Sequence, residues 1–510
     1  MISLEERIAG VLAVNPDAPA IEFEQRWETW GGLARRMHAV QGLLGEVAPG
    51  GEVRVGVMLR NRLPQLAALY AVLRGGQCLV TLNPLYPDDT ISADIAALQL
   101  PVVIGERADL ERPGVIEAAR SHGTALIALD PAWDGVPAIF ARGSAEPEQR
   151  RTAPATLIEM LTSGTTGVPK RVPLRRAAFE ASFNVTLKAE GALDEAPRLR
   201  PGVQVSSAPL THIGGVWGAM TALCLGRQLA FQEKFSVAGW ADAIARHRPR
   251  SASLTAAGLR MVLDAGIPRE ALASLQVLSA GAAPTDPALI DAFLERYGVP
   301  ILTNYGATEF AGPVARWTLP DFQANWTSKH GAVGRFHANV EARVVDPETG
   351  VELAPGEEGV IELRAAQLID PDNWVRSTDK ARIDADGYLW VTGRADGVII
   401  RGGFKVSPEE VVRRLEAHPA IREAVVVGIP DARLGQVPAA ALILKAGAEA
   451  PDPAELSAWL RATLAPYQVP TRYRVVADVP RSASMKPILP EVARLLDESR
   501  LGQAEAPGAR

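Results

Sequence analysis

Residues 161–170 read Leu-Thr-Ser-Gly-Thr-Thr-Gly-Val-Pro-Lys, and the apolar run Ala-Thr-Leu-Ile-Glu-Met-Leu (155–161) leads straight into them. Two glycines, Gly164 and Gly167, let a backbone turn tightly and present N–H groups to an anion. Thr162, Ser163, Thr165 and Thr166 add hydroxyl donors, and Lys170 adds a positive charge. A strand that empties into such a loop reads as a cradle for phosphate oxygens. The spacing differs from the Walker pattern, where a GK[ST] triplet follows four intervening residues.

Upstream of this loop, short apolar β-branched runs alternate with helical spacing. RVGVML (54–59), QCLVTL (77–82), PVVIGE (101–106) and TALIALD (124–130) read as strands, and LPQLAALYAVLRGG (63–76) as a helix stopped by Gly75 and Gly76. This alternation predicts an α/β fold with a parallel sheet. Downstream the texture changes. VEARVVDPETGVEL and EEGVIELRA read as antiparallel strands with Asp/Pro/Gly turns. From about Gly397 a compact α+β pattern follows, with helices in VSPEEVVRRLEAHP and PAELSAWLRATLAP and strands in IREAVVVGIP and AAALILKAG. The expected architecture is a large N-terminal α/β domain with parallel sheets and a small antiparallel β subdomain, followed by a small C-terminal α+β domain.

Composition narrows the function. A chain of 510 residues, 47% hydrophobic, exceeds one compact core. Its net charge of −6, without a run of Lys/Arg, argues against a nucleic-acid partner. Cys78 and Cys224 sit in apolar contexts and read as buried thiols. The acidic start MISLEERIAG lacks the features of a signal peptide, and no run approaches the ~20 apolar residues of a membrane span. A cytoplasmic protein is the expectation.

Further motifs follow in order. PLTHIGG (209–215) contains His212, and Gly281-Ala282-Ala283 is a run of small residues. Asn304-Tyr305-Gly306-Ala307-Thr308-Glu309 sets an aromatic face beside a hydroxyl and a carboxylate. Tyr305 offers a flat surface to a base, Thr308 a donor to a phosphate and Glu309 hard oxygens to Mg²⁺. Ser377-Thr378-Asp379 and Gly393-Arg394-Ala395-Asp396 supply a carboxylate and a guanidinium fork. RGGFKVSPEE (401–410) carries Gly402 and Gly403, and PRSASMK (480–486) ends on Lys486. Taken singly, Tyr305 is ordinary core packing, Glu309 a surface carboxylate, Asp379 and Arg394 a surface ion pair and Lys486 one more surface lysine. The ordered set outweighs those readings.

From about Glu22 to Leu496 the set resembles the acyl-adenylating (AMP-binding) superfamily of acyl-CoA and aryl-CoA ligases, peptide-synthetase adenylation domains and firefly-type luciferases. The resemblance implies that ATP and Mg²⁺ activate a small carboxylic acid, fatty or aryl, as an acyl-adenylate, which coenzyme A then captures. The implied catalytic residues are Lys486, His212, Thr308 and Glu309, with Glu309 as metal ligand. The implied nucleotide and coenzyme A contacts are Thr162 to Gly167, Lys170, Gly281 to Ala283, Asn304 to Gly306, Asp379, Arg394, Gly402 and Gly403. An N-terminal domain of residues 1–395 and a mobile C-terminal domain of residues 396–510, hinged at Asp396, are implied as well. An acid pocket is expected from His212–Gly218, Ala256–Gly258, Gly281–Ala283 and Gly306–Gly312, mostly small residues that admit an apolar tail.

The chain departs from the superfamily pattern at Arg171, where glycine is usual, and at the Ser-Met-Lys-Pro flank of Lys486. Arg171 is expected to alter the mobility of the loop. Loading of a carrier-protein thiol stays open as an alternative second step, with a non-catalytic scaffold behind it. His-Ile-Gly-Gly-Val (212–216) lacks the acidic residue that an amino-acid activator typically uses for its ammonium group.

Overall fold

This computed structural model describes residues 2–48, 53–142, 155–162, 170–281, 285–394, 397–480, 487 and 489–497; at Thr162, Lys170, Arg394 and Glu409 only the backbone is described. The strands expected before the phosphate loop form one sheet of seven. Its order is Ala138–Ala141, Ala125–Leu129, Val102–Glu106, Arg54–Met58, Cys78–Leu82, Thr156–Thr162, Lys170–Arg175. The middle strands are parallel and the two outermost pairs antiparallel. Central strands are buried along their length, as a parallel sheet covered on both faces requires.

The helix Leu63–Arg74 is buried from Leu63 through Leu73, matching a sequence apolar on all sides. It ends at Gly75, with Gly76 at φ 75°. The helix lies against the one that follows His212: the Tyr70 hydroxyl donates to the Ala219 carbonyl at 2.8 Å. Cys78 and Cys224 are buried and free, and burial raises each thiol pKa to about 12. Neither thiol can act as a nucleophile at neutral pH.

Thr156–Thr162 does not pass into a helix. It turns back as the antiparallel edge strand Lys170–Arg175, with Thr162 opposite Lys170. An edge strand tolerates Pro173, which has no N–H to donate. The strands on either side of residues 163–169 therefore pair at the rim of the sheet, and those residues, the expected phosphate loop, lie outside the described residues. Arg171 is anchored rather than loose: its guanidinium donates to the Thr81 carbonyl at 3.0 Å and to Asp94 Oδ2 at 2.5 Å. The bulky cation fastens the return strand to Cys78–Leu82, the next strand but one, and to the helix Asp88–Leu98, which accounts for an arginine here.

A second parallel trio, Ser251–Leu254, Val277–Ala280 and Ile301–Ala307, continues into antiparallel Gly312–Arg316 and Arg335–Phe336. Four antiparallel strands between Glu341 and Arg394 form the expected β subdomain, packed on Tyr305 and Phe310. After Gly397, the strands Phe404–Val406, Ile399–Arg401, Gly435–Leu444 and Ile421–Asp431 form a further sheet, with Arg472–Val475 alongside. The small C-terminal domain has its own apolar clusters, one around Ile399, Leu415, Leu442 and Leu460, the other around Val425, Ile429 and Val492. Among the described residues no helix is long and apolar enough to cross a membrane.

Candidate active site

His212 is held from several directions. Asn61 Nδ2 donates to the Ala208 carbonyl at 3.0 Å, and Asn61 Oδ1 accepts from the Leu210 N–H at 2.9 Å. These bonds fix the segment before His212, which then caps the helix Ile213–Cys224. Gly215 cannot be replaced, because a Cβ there would lie 2.1 Å from the Pro209 carbonyl oxygen. The half-buried imidazole meets Phe404 of the C-terminal domain edge-on, ring centres 4.7 Å apart. Desolvation lowers its pKa to about 4, and the positive end of the helix opposes protonation in the same sense.

That shift has a consequence for stability. An unfolded histidine binds its proton near pH 6.5; folded His212 does so only near 4. Between those values the unfolded chain carries more protons, so stability rises with pH across the window and is fully present above it. His212→Asn is expected to flatten the loss of stability between pH 6.5 and 4, by about 1–3 kcal/mol at the acid end. Denaturant midpoints of the two proteins at several pH values measure this, and parallel curves would refute it.

Phe404 belongs to a hairpin whose two-residue turn is Gly402-Gly403, with Arg401 opposite Phe404. Their φ angles of 56° and 92° suit a type I′ turn, which explains paired glycines. The hairpin is braced from behind. Phe404 stacks on Tyr467 at 4.3 Å, and the Tyr467 hydroxyl lies 3.3 Å from that of Tyr86 in the N-terminal domain. Arg401 donates to the carbonyls of Pro466, Tyr467 and Val469. The next hairpin residue, Lys405, places Nζ 3.7 Å from Glu309 Oε2. Phe404, Lys405, Tyr467 and Tyr86 were not singled out in the sequence. Phe404 and Lys405 lie inside the quoted 401–410 motif, whereas nothing local marks the tyrosines.

Thr308 and Glu309 form a short 3₁₀ turn after the strand Ile301–Ala307, closed by Ala311 at φ 52°. Gln367 holds that turn by donating to the Phe310 and Pro313 carbonyls. Among the described residues Glu309 Oε2 is shielded from solvent and accepts no hydrogen bond, and such an oxygen suits a hard cation. Among the described residues no three His, Cys, Asp or Glu gather into a metal cluster. Magnesium at Glu309 would thus draw its remaining oxygens from phosphate and water.

Tyr305 is 8% exposed, packs edge-on to Phe310, and donates its hydroxyl to Asp379 Oδ2 at 2.7 Å. Much of its ring is core, and its hydroxyl joins the 304–309 motif to the 377–379 motif. Asp379 stands opposite Arg394 in the antiparallel ladder. Asn304 Nδ2 donates to the Ala280 carbonyl at 3.0 Å, and its Oδ1 would lie 2.4 Å from a Cβ on Gly281. Gly306 is similarly crowded by the Gly312 carbonyl. Behind Gly312 stand Trp217, Phe179 and Phe183, with ring centres 5.3–5.9 Å apart. Of this aromatic wall, Trp217 falls within the expected pocket segment His212–Gly218, whereas Phe179 and Phe183 lie outside every segment expected to line the acid pocket. Ser163 to Gly167, Ala282, Ala283, Asp396 and Lys486 lie outside the described residues.

The chain is similar to known proteins over most of its length. The chain is 30% identical over 370 residues to the 4-coumarate–CoA ligase-like 2 of Arabidopsis thaliana, an alignment covering 68% of this chain and 63% of that one, just under two thirds. It is 28% identical to the fatty acid–[acyl-carrier-protein] ligase ScoC of Streptomyces coeruleorubidus over 92% of each chain. The solved amide bond synthetase McbA of Marinactinospora thermotolerans superimposes with a TM-score of 0.82 at 26% identity, covering 97% of this chain and 99% of that one. The AMP-binding enzyme C-terminal domain matches residues 410–486. With the AMP-binding enzyme family matched over residues 8–370, most of its length, the chain belongs to the AMP-binding enzymes.

Proposed function

We propose that the protein uses ATP to convert a carboxylic acid, fatty or aryl, into its acyl-adenylate and then transfers the acyl group to coenzyme A. In the first step a carboxylate oxygen attacks the α-phosphorus and pyrophosphate leaves. Ser163, Thr165, Thr166 and Lys170 hold the phosphates, Asp379 and Arg394 the ribose, and Tyr305 orients Asp379. Lys486 bridges the reacting carboxylate and phosphate, largely by positioning and charge. Magnesium bound at Glu309 would supply neutralising charge to the phosphates. In the second step the thiol attacks the acyl carbonyl and AMP leaves.

The observation that carries the thiol step is the seat of the Gly402-Gly403 hairpin, with Phe404 against His212 and Lys405 beside Glu309. An acceptor reaching His212 would pass glycines, which leave room for a thin ligand. Lys405 and a metal would compete for one carboxylate, so hairpin docking suits the stage after pyrophosphate has left. The residues that serve the first step would then be presented by rotation of residues 396–510 about Asp396. Gly397, at φ 70°, gives the backbone there a freedom that a side chain would restrict.

Pyrophosphate release with a panel of fatty and aryl acids tests the first step. Coenzyme A, a phosphopantetheinylated carrier protein and a primary amine as competing acceptors test the second. Thioester on coenzyme A is expected. Acylation of only the carrier protein or the amine would overturn the acceptor, and no pyrophosphate with any acid would overturn the reaction.

A further inference from the structure

Next to the adenylating centre, a recess of about 640 Å³ is lined by Val185, Thr318, Asn325, Arg316, Arg335 and His337, among others. Its charge is unusual. Asn304 stands opposite Arg316, and Arg316 opposite Arg335, so the three share one face across adjacent strands. Two guanidinium groups directly opposed repel. Arg335 has local partners: it donates to the Tyr388 hydroxyl at 2.9 Å, lies over that ring, and reaches Asp321 at 3.9 Å. Asp321 is already engaged by Tyr388 and Asn325. The half-buried Arg316 makes no side-chain hydrogen bond or ion pair among the described residues. Among the described residues both ring nitrogens of His337 are shielded from solvent and without a partner. A neutral imidazole keeps one N–H donor, and a shielded donor without an acceptor is costly. Burial and the charge of Arg316 hold this imidazole in its neutral form.

The recess continues the site. Gly312 begins the strand that ends at Arg316, and its α-carbon faces Ser182 and Trp217. Arg316 lies ~13 Å further along that strand, beyond the bulge at which the pairing with Tyr305 and Gly306 shifts register. Val185, one turn beyond Ser182 on the same helix, lines the recess. An acid activated beside Glu309 would pass the aromatic wall and bring its far end to Arg316.

We propose that Arg316 and His337 receive a second carboxylate at the remote end of the acid, so that the preferred substrates are long dicarboxylic acids. This rests on the acid-activating reading above. A guanidinium fork matches a carboxylate in two parallel hydrogen bonds, and the imidazole N–H, uncovered as the carboxylate enters, supplies a third. A monocarboxylic acid of equal length would leave both cavity residues unpaired, which is how a polar site rejects an apolar end.

The test pairs suberic, sebacic and dodecanedioic acids with octanoic, decanoic and dodecanoic acids. Pyrophosphate release gives kcat/KM for each, and calorimetric titration gives binding without turnover. The wild type is expected to favour the best diacid over its partner about tenfold to a hundredfold, mainly through KM. Arg316→Met should abolish that preference while sparing the monocarboxylic acid, and Arg316→Lys should restore part of it. Thermal melts confirm folding, with His337→Phe as an independent variant expected to weaken diacid binding alone. Equal handling of both acids by the wild type, in turnover and in binding, overturns the proposal. Discrimination in binding with no pyrophosphate from any acid would overturn the acid-activating reading and leave the diacid site standing.

Discussion

Glu309→Gln is expected to slow pyrophosphate release by about 100- to 1000-fold, a barrier increase of roughly 2.7–4 kcal/mol, with little effect on folding. The substitution keeps the shape and removes the charge. Oε2 accepts no hydrogen bond among the described residues, so an amide there breaks none of theirs. The contact it loses is the 3.7 Å pair with Lys405, part-exposed on both sides and worth about 0–1 kcal/mol. What remains is the loss of an anionic oxygen at the position proposed for the metal. The half-saturating magnesium concentration should rise along with the fall in rate. ATP–pyrophosphate exchange across a magnesium series measures both, and a variant within a few-fold of wild type at every concentration would remove Glu309 from the reaction.

The second large effect separates the two steps. Lys486→Ala should slow adenylate formation about 1000-fold, roughly 4 kcal/mol, by removing the cation proposed to bridge carboxylate and phosphate. Given pre-made acyl-adenylate and coenzyme A, the same variant should form thioester at close to the wild-type rate. Phe404→Ala should do the reverse. It removes the ring that meets His212 at 4.7 Å and Tyr467 at 4.3 Å, and should slow the thiol step about tenfold, ~1.4 kcal/mol, while sparing pyrophosphate exchange. Single-turnover measurements of each step supply the four rates. If Lys486→Ala fails equally with the ready-made intermediate, or Phe404→Ala slows both steps alike, the assignment of the two faces to the two steps is wrong.

Much of the fold was legible because its signals are local. The helix Leu63–Arg74 announced itself by continuous apolar spacing and by Gly75, and the strands Arg54–Met58 and Cys78–Leu82 by short β-branched runs. The return strand Lys170–Arg175 was not legible, since Lys-Arg-Val-Pro-Leu-Arg lacks a strand's alternation and contains proline. Only its place at the rim of the sheet makes that sequence acceptable. Arg171 was expected to alter the mobility of the loop; that it anchors the return strand was not legible, because its partners Thr81 and Asp94 come from elements remote in sequence.

The sequence by itself determined the order of the chemical motifs, the α/β class and the glycine pair of the 401–406 hairpin. Each depends on side-chain type, short-range period or a positive φ, which neighbouring residues suffice to express. Tertiary structure alone decided that Tyr305 spends its hydroxyl on Asp379, 74 positions away, that Phe404 and Lys405 reach His212 and Glu309, and that Arg316 stands opposite Arg335. Those pairings follow from strand register and from the packing of one domain on another. Neither leaves a trace in local spacing, because both are set by contacts between elements whose separation along the chain carries no period.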